Sequence, residues 1–177
     1  MYPLIRFAKE LVKFRNAPLQ PFDTHVSQHL CWPVDIDPWR ELNNGRTLTI
    51  YDLGRIPLAQ RTGLVDILRR RRWGLTVAGS SLRYRRRVRM FDRIEMRSRL
   101  VGWDNRFVYI EQSMWKRDGE CASHALFRTA VTDASGIVDP SEVARELGLD
   151  PVSPPLPDWI TAWIDAETAR SWPPSRD

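Results

Sequence analysis

Three carboxylates and two asparagines crowd into residues 35–46, which read Asp-Ile-Asp-Pro-Trp-Arg-Glu-Leu-Asn-Asn-Gly-Arg. Such a set can carry acyl chemistry. A carboxylate acts either as a nucleophile or as a base that activates water. A helix start beside it supplies unpaired N–H donors and the positive end of the dipole, which polarise a carbonyl. Asn43 and Asn44 suit the helix-capping position, because a short side-chain oxygen accepts from amides of the first turn. They would present the N–H groups of Gly45 and Arg46, and Gly45 leaves room for a close ligand. Asp37 is the candidate acid. Its simpler role is a turn or cap hydrogen bond. Asp35, on the same side of an extended chain, reads mainly as a brace for the loop.

These residues resemble the hotdog-fold thioesterases, both the hydroxybenzoyl-CoA thioesterase-like enzymes and the plant acyl-carrier-protein thioesterases. The usual form in those families is Asp-x-Asp-x-x-x-His-x-Asn-Asn-x-x-Tyr. Asp35, Asp37, Asn43 and Asn44 match it, Glu41 stands where the His is usual, and Thr47 where the Tyr is usual. The likeness runs on through Asp52-Leu53-Gly54-Arg55 and Arg61-Thr62-Gly63-Leu64 and covers roughly residues 24–133. It implies hydrolysis of an acyl-CoA or acyl-carrier-protein thioester, with Asp37 as base or nucleophile and the Gly45 and Arg46 amides on the carbonyl oxygen. It also implies a homodimer or a dimer of dimers, with sites between subunits and no metal or other cofactor. Glu41 is either a second acid/base or the mark of changed chemistry. In the latter case the chain is a non-catalytic acyl-thioester binding protein.

Other clusters are weaker. The stretch Arg83-Tyr84-Arg85-Arg86-Arg87-Val88-Arg89 alternates as a half-buried strand would, with Arg83, Arg85, Arg87 and Arg89 on an outer face. A solvated face is the simplest reading, and contact with coenzyme A phosphates or an acidic carrier comes second. Nucleic acid is not expected, since no recognition motif accompanies the charge. The net charge of +5 suits an acidic ligand or partner. His25 and His29 have the spacing of a helical metal pair, but a strand would hold their Cα atoms about 13 Å apart. Ser80, Ser81 and His124 lack the Gly-x-Ser-x-Gly elbow of a serine hydrolase. Cys31 and Cys121 have neither metal-ligand nor disulfide spacing, which fits a reduced, cytoplasmic setting. No secretory signal or membrane-spanning run is apparent.

The elements that must hold this site form one α+β domain over residues 1–177. An N-terminal helix and connector (1–23) precede a hotdog core (24–133), an antiparallel sheet wrapped around a long helix, and a helical extension (134–177) follows. Residues 3–15 are amphipathic, with Leu4, Ile5, Ala8, Leu11 and Val12 on one face and Arg6, Lys9, Glu10 and Lys13 on the other. A basic helix of this kind lies on a membrane surface or, more often, covers an apolar neighbour. Residues 24–34 alternate as a strand. The helix opened by Asn43 is apolar on nearly all sides, and Pro57 is expected to kink or end it, with a second short helix starting there. Four strands then follow over 73–90, 93–103, 106–116 and 120–133 as a meander. Asp104-Asn105 and Asp118-Gly119 serve as turns. Asp139-Pro140 starts a further helix that Gly148 stops. Trp159, Ile160, Trp163 and Ile164 give the last helix an apolar side that docks on the domain or on a partner subunit.

Overall fold

The computed structural model describes residues 2–176. The central helix α2 spans Asn44–Arg61 and the sheet curls around it. Before it come α1, Leu4–Phe14, and β1, His25–Leu30, followed by a 3₁₀ turn at Pro33–Asp35. After it come α3, Leu64–Arg71, then β2, Gly74–Tyr84; β3, Arg93–Trp103; β4, Val108–Lys116; and β5, Cys121–Asp133. A two-residue β6, Gly136–Ile137, leads to α4, Pro140–Glu146, and α5, Asp158–Ala169. This is the hotdog arrangement.

All strand pairs are antiparallel, but their order is β1-β3-β4-β5-β2. The expected meander therefore holds only for β3, β4 and β5. β2 pairs with the far side of β5, Tyr84 opposite Ser123, and residues 85–92 carry the chain back across the sheet to β3. Local alternation cannot foresee such a crossing, because β2 would satisfy its backbone equally against either neighbour. The core between α2 and the sheet is closed by Ile50, Tyr51, Leu53, Ile94, Met96 and Met114, all fully buried. Helix and sheet meet most closely at Gly54, where a methyl group would lie 2.5 Å from Met96 Sδ and 2.6 Å from Ser98 Oγ.

Pro57 does not end α2. It is buried inside the helix, where packing against the sheet offsets the missing N–H bond. The helix stops at Arg61, and Gly63, with φ of 81°, turns the chain into α3. The C-terminal elements follow the sequence closely. Asp139 caps α4 by accepting from the Ser141 amide at 2.8 Å, and Gly148, with φ of 72°, ends that turn. α5 lies on the domain itself, with Ile160 fully buried against Tyr109 and Leu126.

The N-terminal helix is docked the other way round from the expectation that its apolar face covers a neighbour. Phe7 packs on the main core, Phe14 stands edge-on to His25, and Glu10 is buried, whereas Leu4, Ile5, Ala8 and Val12 face outward. Arg6 accounts for part of this, since its guanidinium grips the Leu30 carbonyl and Asp35. β1 and the residues just after it likewise turn His25, Ser27, His29 and Cys31 inward and leave Val26, Trp32 and Val34 exposed. Both histidines are held as the neutral form, chiefly by burial, His25 down to about 4 and His29 to about 3. Both cysteines are free thiols.

Candidate functional site

The loop before α2 is fixed from beneath by a buried acid. Asp35 has no exposed surface. Its Oδ2 accepts from Arg6 Nη1 at 2.7 Å and from the Trp32 amide at 3.0 Å. Its Oδ1 accepts from Arg46 Nη2 at 2.8 Å and Nε at 3.1 Å. Burial pushes this carboxyl up, but the Trp32 amide and the guanidiniums of Arg46 and Arg6 outweigh it and hold the group below its ordinary range. Asp35 thus ties α1, the end of β1 and the first turn of α2 into one unit.

Above that brace, residues 36–42 form a closed loop. Ile36 and Leu42 bridge, the Asp37 amide donates to the Glu41 carbonyl at 2.9 Å, and Arg40 takes a left-handed φ of 61°. Asp37 Oδ1 accepts from the amides of Trp39 at 2.9 Å and Glu41 at 3.3 Å, a side-chain-closed turn. Its Oδ2 takes no hydrogen bond from the described residues. The turn role therefore leaves one carboxylate oxygen of this half-buried side chain open.

Asn43 caps α2. Its Oδ1 accepts from the amides of Gly45 at 2.9 Å and Arg46 at 3.2 Å. Those two N–H groups are the donors expected to face a carbonyl, and the cap already occupies them. The Asn44 amide takes no acceptor among the described residues, so the open donor at this helix end lies one residue earlier than the sequence suggests. The Thr47 amide and hydroxyl both return to the Asn43 carbonyl, at 2.8 and 3.1 Å.

Asn44 and Thr47 wall a cavity of about 250 Å³ together with Glu41, Tyr84, Arg85 and Arg87. Asp37 is not part of that wall. Glu41 is ion-paired with Arg87, Oε2 to Nε at 2.9 Å. The alternating arginine face expected over 83–89 does not form, because β2 stops at Tyr84 and the chain leaves the sheet. Arg83 remains on the strand, whereas Arg85 and Arg87 sit on the crossing loop at the cavity. Arg86, also at the cavity, pairs with Glu120 at 2.7 Å, and Arg85 has no acidic partner among the described residues.

Two groups were not foreseen. Tyr84 brings an aromatic ring to the cavity wall, and its phenol, pushed up by burial, is partly offset by the Thr47 hydroxyl. Position 47, where the resemblance expects a ring, holds Thr47, and an aromatic ring from β2 stands in the same cavity wall. Ser123, opposite Tyr84 on β5, shares a hydrogen with the buried Tyr51 hydroxyl at 2.8 Å. Only the pairing of β2 with β5 brings these groups to the helix start, and no local signal carries that pairing.

A model of the thioesterase-like superfamily matches residues 31–164. Protein THEM6 of Drosophila melanogaster is 30% identical over 146 residues, which cover 81% of this chain and 74% of that protein. The fold is shared with the YbaW probable thioesterase of Escherichia coli, with a TM-score of 0.65 at 17% identity over 70% of this chain and 95% of the other. It is shared also with the DHNA-CoA thioesterase of Staphylococcus aureus, with a TM-score of 0.60 at 11% identity over 82% and 91%. With the matched span running from the end of β1 to α5 and taking in the whole site loop, the chain belongs to the thioesterase-like superfamily.

Proposed function

We propose that this protein hydrolyses an acyl thioester of coenzyme A or of an acyl carrier protein at the cavity beside the α2 start. What supports the reading is an open donor and an unengaged carboxylate oxygen on the same braced loop, the donor's residue in the cavity wall and Asp37 outside it. The Asn44 amide, at the positive helix end, polarises the thioester carbonyl. Asp37, through Oδ2, takes a proton from the water that attacks that carbon, or attacks it directly to form a mixed anhydride that water then hydrolyses. In both routes the C–S bond breaks and the carrier leaves as its thiolate. Glu41, tied to Arg87, holds that guanidinium at the cavity mouth, and Arg85 meets a carrier phosphate or acidic side chain. A relative in fold is named a CoA thioesterase, which agrees in kind.

The reading includes a homodimer, or a dimer of dimers. β2 is an eleven-residue edge strand whose outer edge has no partner among the described residues, and it exposes Leu75 and Val77. Such an edge invites a second copy.

The test is thiol release from short, long and aromatic acyl-CoA substrates and from acyl carrier protein. Asp37→Asn and Glu41→Gln are assayed beside the parent chain. The expected outcome is a loss of about 10²- to 10⁴-fold in kcat for Asp37→Asn. Glu41→Gln should act mainly on KM. The reverse ranking moves the base to Glu41, which alone of the two lines the cavity. Affinity for the substrates without any turnover supports the binding-protein reading, in which the Glu41–Arg87 pair has replaced catalysis.

A further inference from the structure

The outward face of α1 is the least explained surface of the molecule. Leu4 is 66%, Ile5 88% and Val12 65% exposed. Together with Ala8 they fall within an arc of about 100° on the helix. Lys9 and Lys13 stand beyond one border of that arc, and Arg15 follows in line with the apolar stripe just past the helix end, all exposed and without an acidic partner among the described residues. The helix's acid, Glu10, is turned inward and buried, and its first arginine, Arg6, is committed to Asp35. What faces outward is therefore apolar and cationic, with no acid on the outward face to repel an anion.

The cationic border does not end with the helix. Lys9 and Lys13 line an open groove that also receives Arg93 from the start of β3 and Arg117 from the β4–β5 turn. No carboxylate lines it among the described residues, and neither arginine is ion-paired. Four cations beside an apolar stripe match the chemistry of an anionic lipid surface, with alkyl side chains entering the headgroup boundary and ammonium and guanidinium groups meeting phosphates. A water-facing role does not account for Ile5 and Val12, and docking on an apolar protein surface does not account for the row of unpaired cations. Among the described residues no helix is long and apolar enough to cross a membrane, so the geometry is one of lying on the surface.

We propose that α1, with the adjoining groove, is a docking face for anionic membranes, on which the folded domain rests peripherally. The face is already formed in the folded chain. The buried contacts of Phe7, Phe14 and Arg6 fix the helix by its other side, so docking requires no release of α1.

The experiment is co-sedimentation of the whole chain with phosphatidylcholine vesicles, with and without phosphatidylglycerol, across a salt series. The parent chain is expected to sediment with the anionic vesicles, to lose binding as salt rises, and to ignore phosphatidylcholine alone. The paired substitution Ile5→Asp/Val12→Asp touches exposed side chains only. It should abolish sedimentation while leaving circular dichroism and thiol release in solution unchanged. Lys9→Glu/Lys13→Glu should weaken binding by at least about fivefold for each cation lost. The proposal is overturned if the parent chain stays in the supernatant, or if Ile5→Asp/Val12→Asp binds as tightly as the parent. Full displacement by soluble glycerophosphate, with Ile5→Asp/Val12→Asp unaffected, would reduce the groove to a site for free phosphates and overturn it too. So would self-association that the same pair abolishes without any vesicle binding, since a second copy would then cover the face.

Discussion

Asp35 and Asp37 are two residues apart and have opposite fates, which burial and partners explain. Asp35 is fully buried and receives an amide and two guanidiniums, so its charge is matched by protein. Removing that charge leaves Arg6 and Arg46 facing each other with no counter-charge between them, both mostly buried. Asp35→Asn is accordingly expected to cost about 3–5 kcal/mol of stability, read from urea unfolding. It should also loosen α1 and the loop together. Asp37 accepts only backbone amides of its own turn and keeps one oxygen open. The difference was partly legible. The bracing role read for Asp35 agrees with its buried contacts, whereas the two acids do not share a side as an extended Asp-x-Asp suggests: Asp35 lies beneath the loop and Asp37 closes a turn above it. Which donors remain open was not legible, since the choice between the amides of Asn44, Gly45 and Arg46 depends on where the Asn43 side chain turns.

At the scale of elements, α2 sets the tolerances. Gly54 lets the helix lie against β3 and β4 so closely that any side chain there collides with Met96, Ser98 and Gln112. Gly54→Ala is expected to lower stability by about 1–3 kcal/mol despite the better helix propensity of alanine, as a shift in urea midpoint at unchanged slope. The start of this helix, the hairpin turns at Asp104-Asn105 and Asp118-Gly119, and the Asp139 cap were readable from short-range chemistry: each depends on a side chain and amides a few residues away. Three features were not. Pro57 sits within α2 because tertiary packing outweighs one missing bond. β2 pairs beyond β5 because its partner is chosen by the closure of the sheet. α1 shows its apolar stripe outward because Arg6 and Phe7 bind more favourably than Ile5 would. In all three the deciding contact lies far away in sequence.

Taken whole, the molecule has one long unpaired edge and a site near the strand that forms it. β2 ends at Tyr84, in the cavity wall, so a second copy added along β2 would stand beside the cavity mouth. On the proposed pairing of two copies along β2, Val77→Lys is expected to lower the mass in size-exclusion chromatography with light scattering to that of one chain, by placing a charge on that edge without altering the core. Apolar space is also present near the far end of α2, about 60 Å³ between it, the sheet and α4, and it shares no wall residue with the site cavity. The crossing loop has a different consequence. Its amides at Arg85 and Arg86 donate to Ala122 on β5, its Val88 carbonyl accepts from Leu42, and its Phe91 amide donates to Cys31 just beyond β1. The loop is thus laced to both flanks of the sheet and to the entry of α2. Exchange of these amides with solvent should follow opening of the core rather than a separate, faster movement. A cavity walled by so laced a loop keeps its shape, or loses it, together with the whole fold.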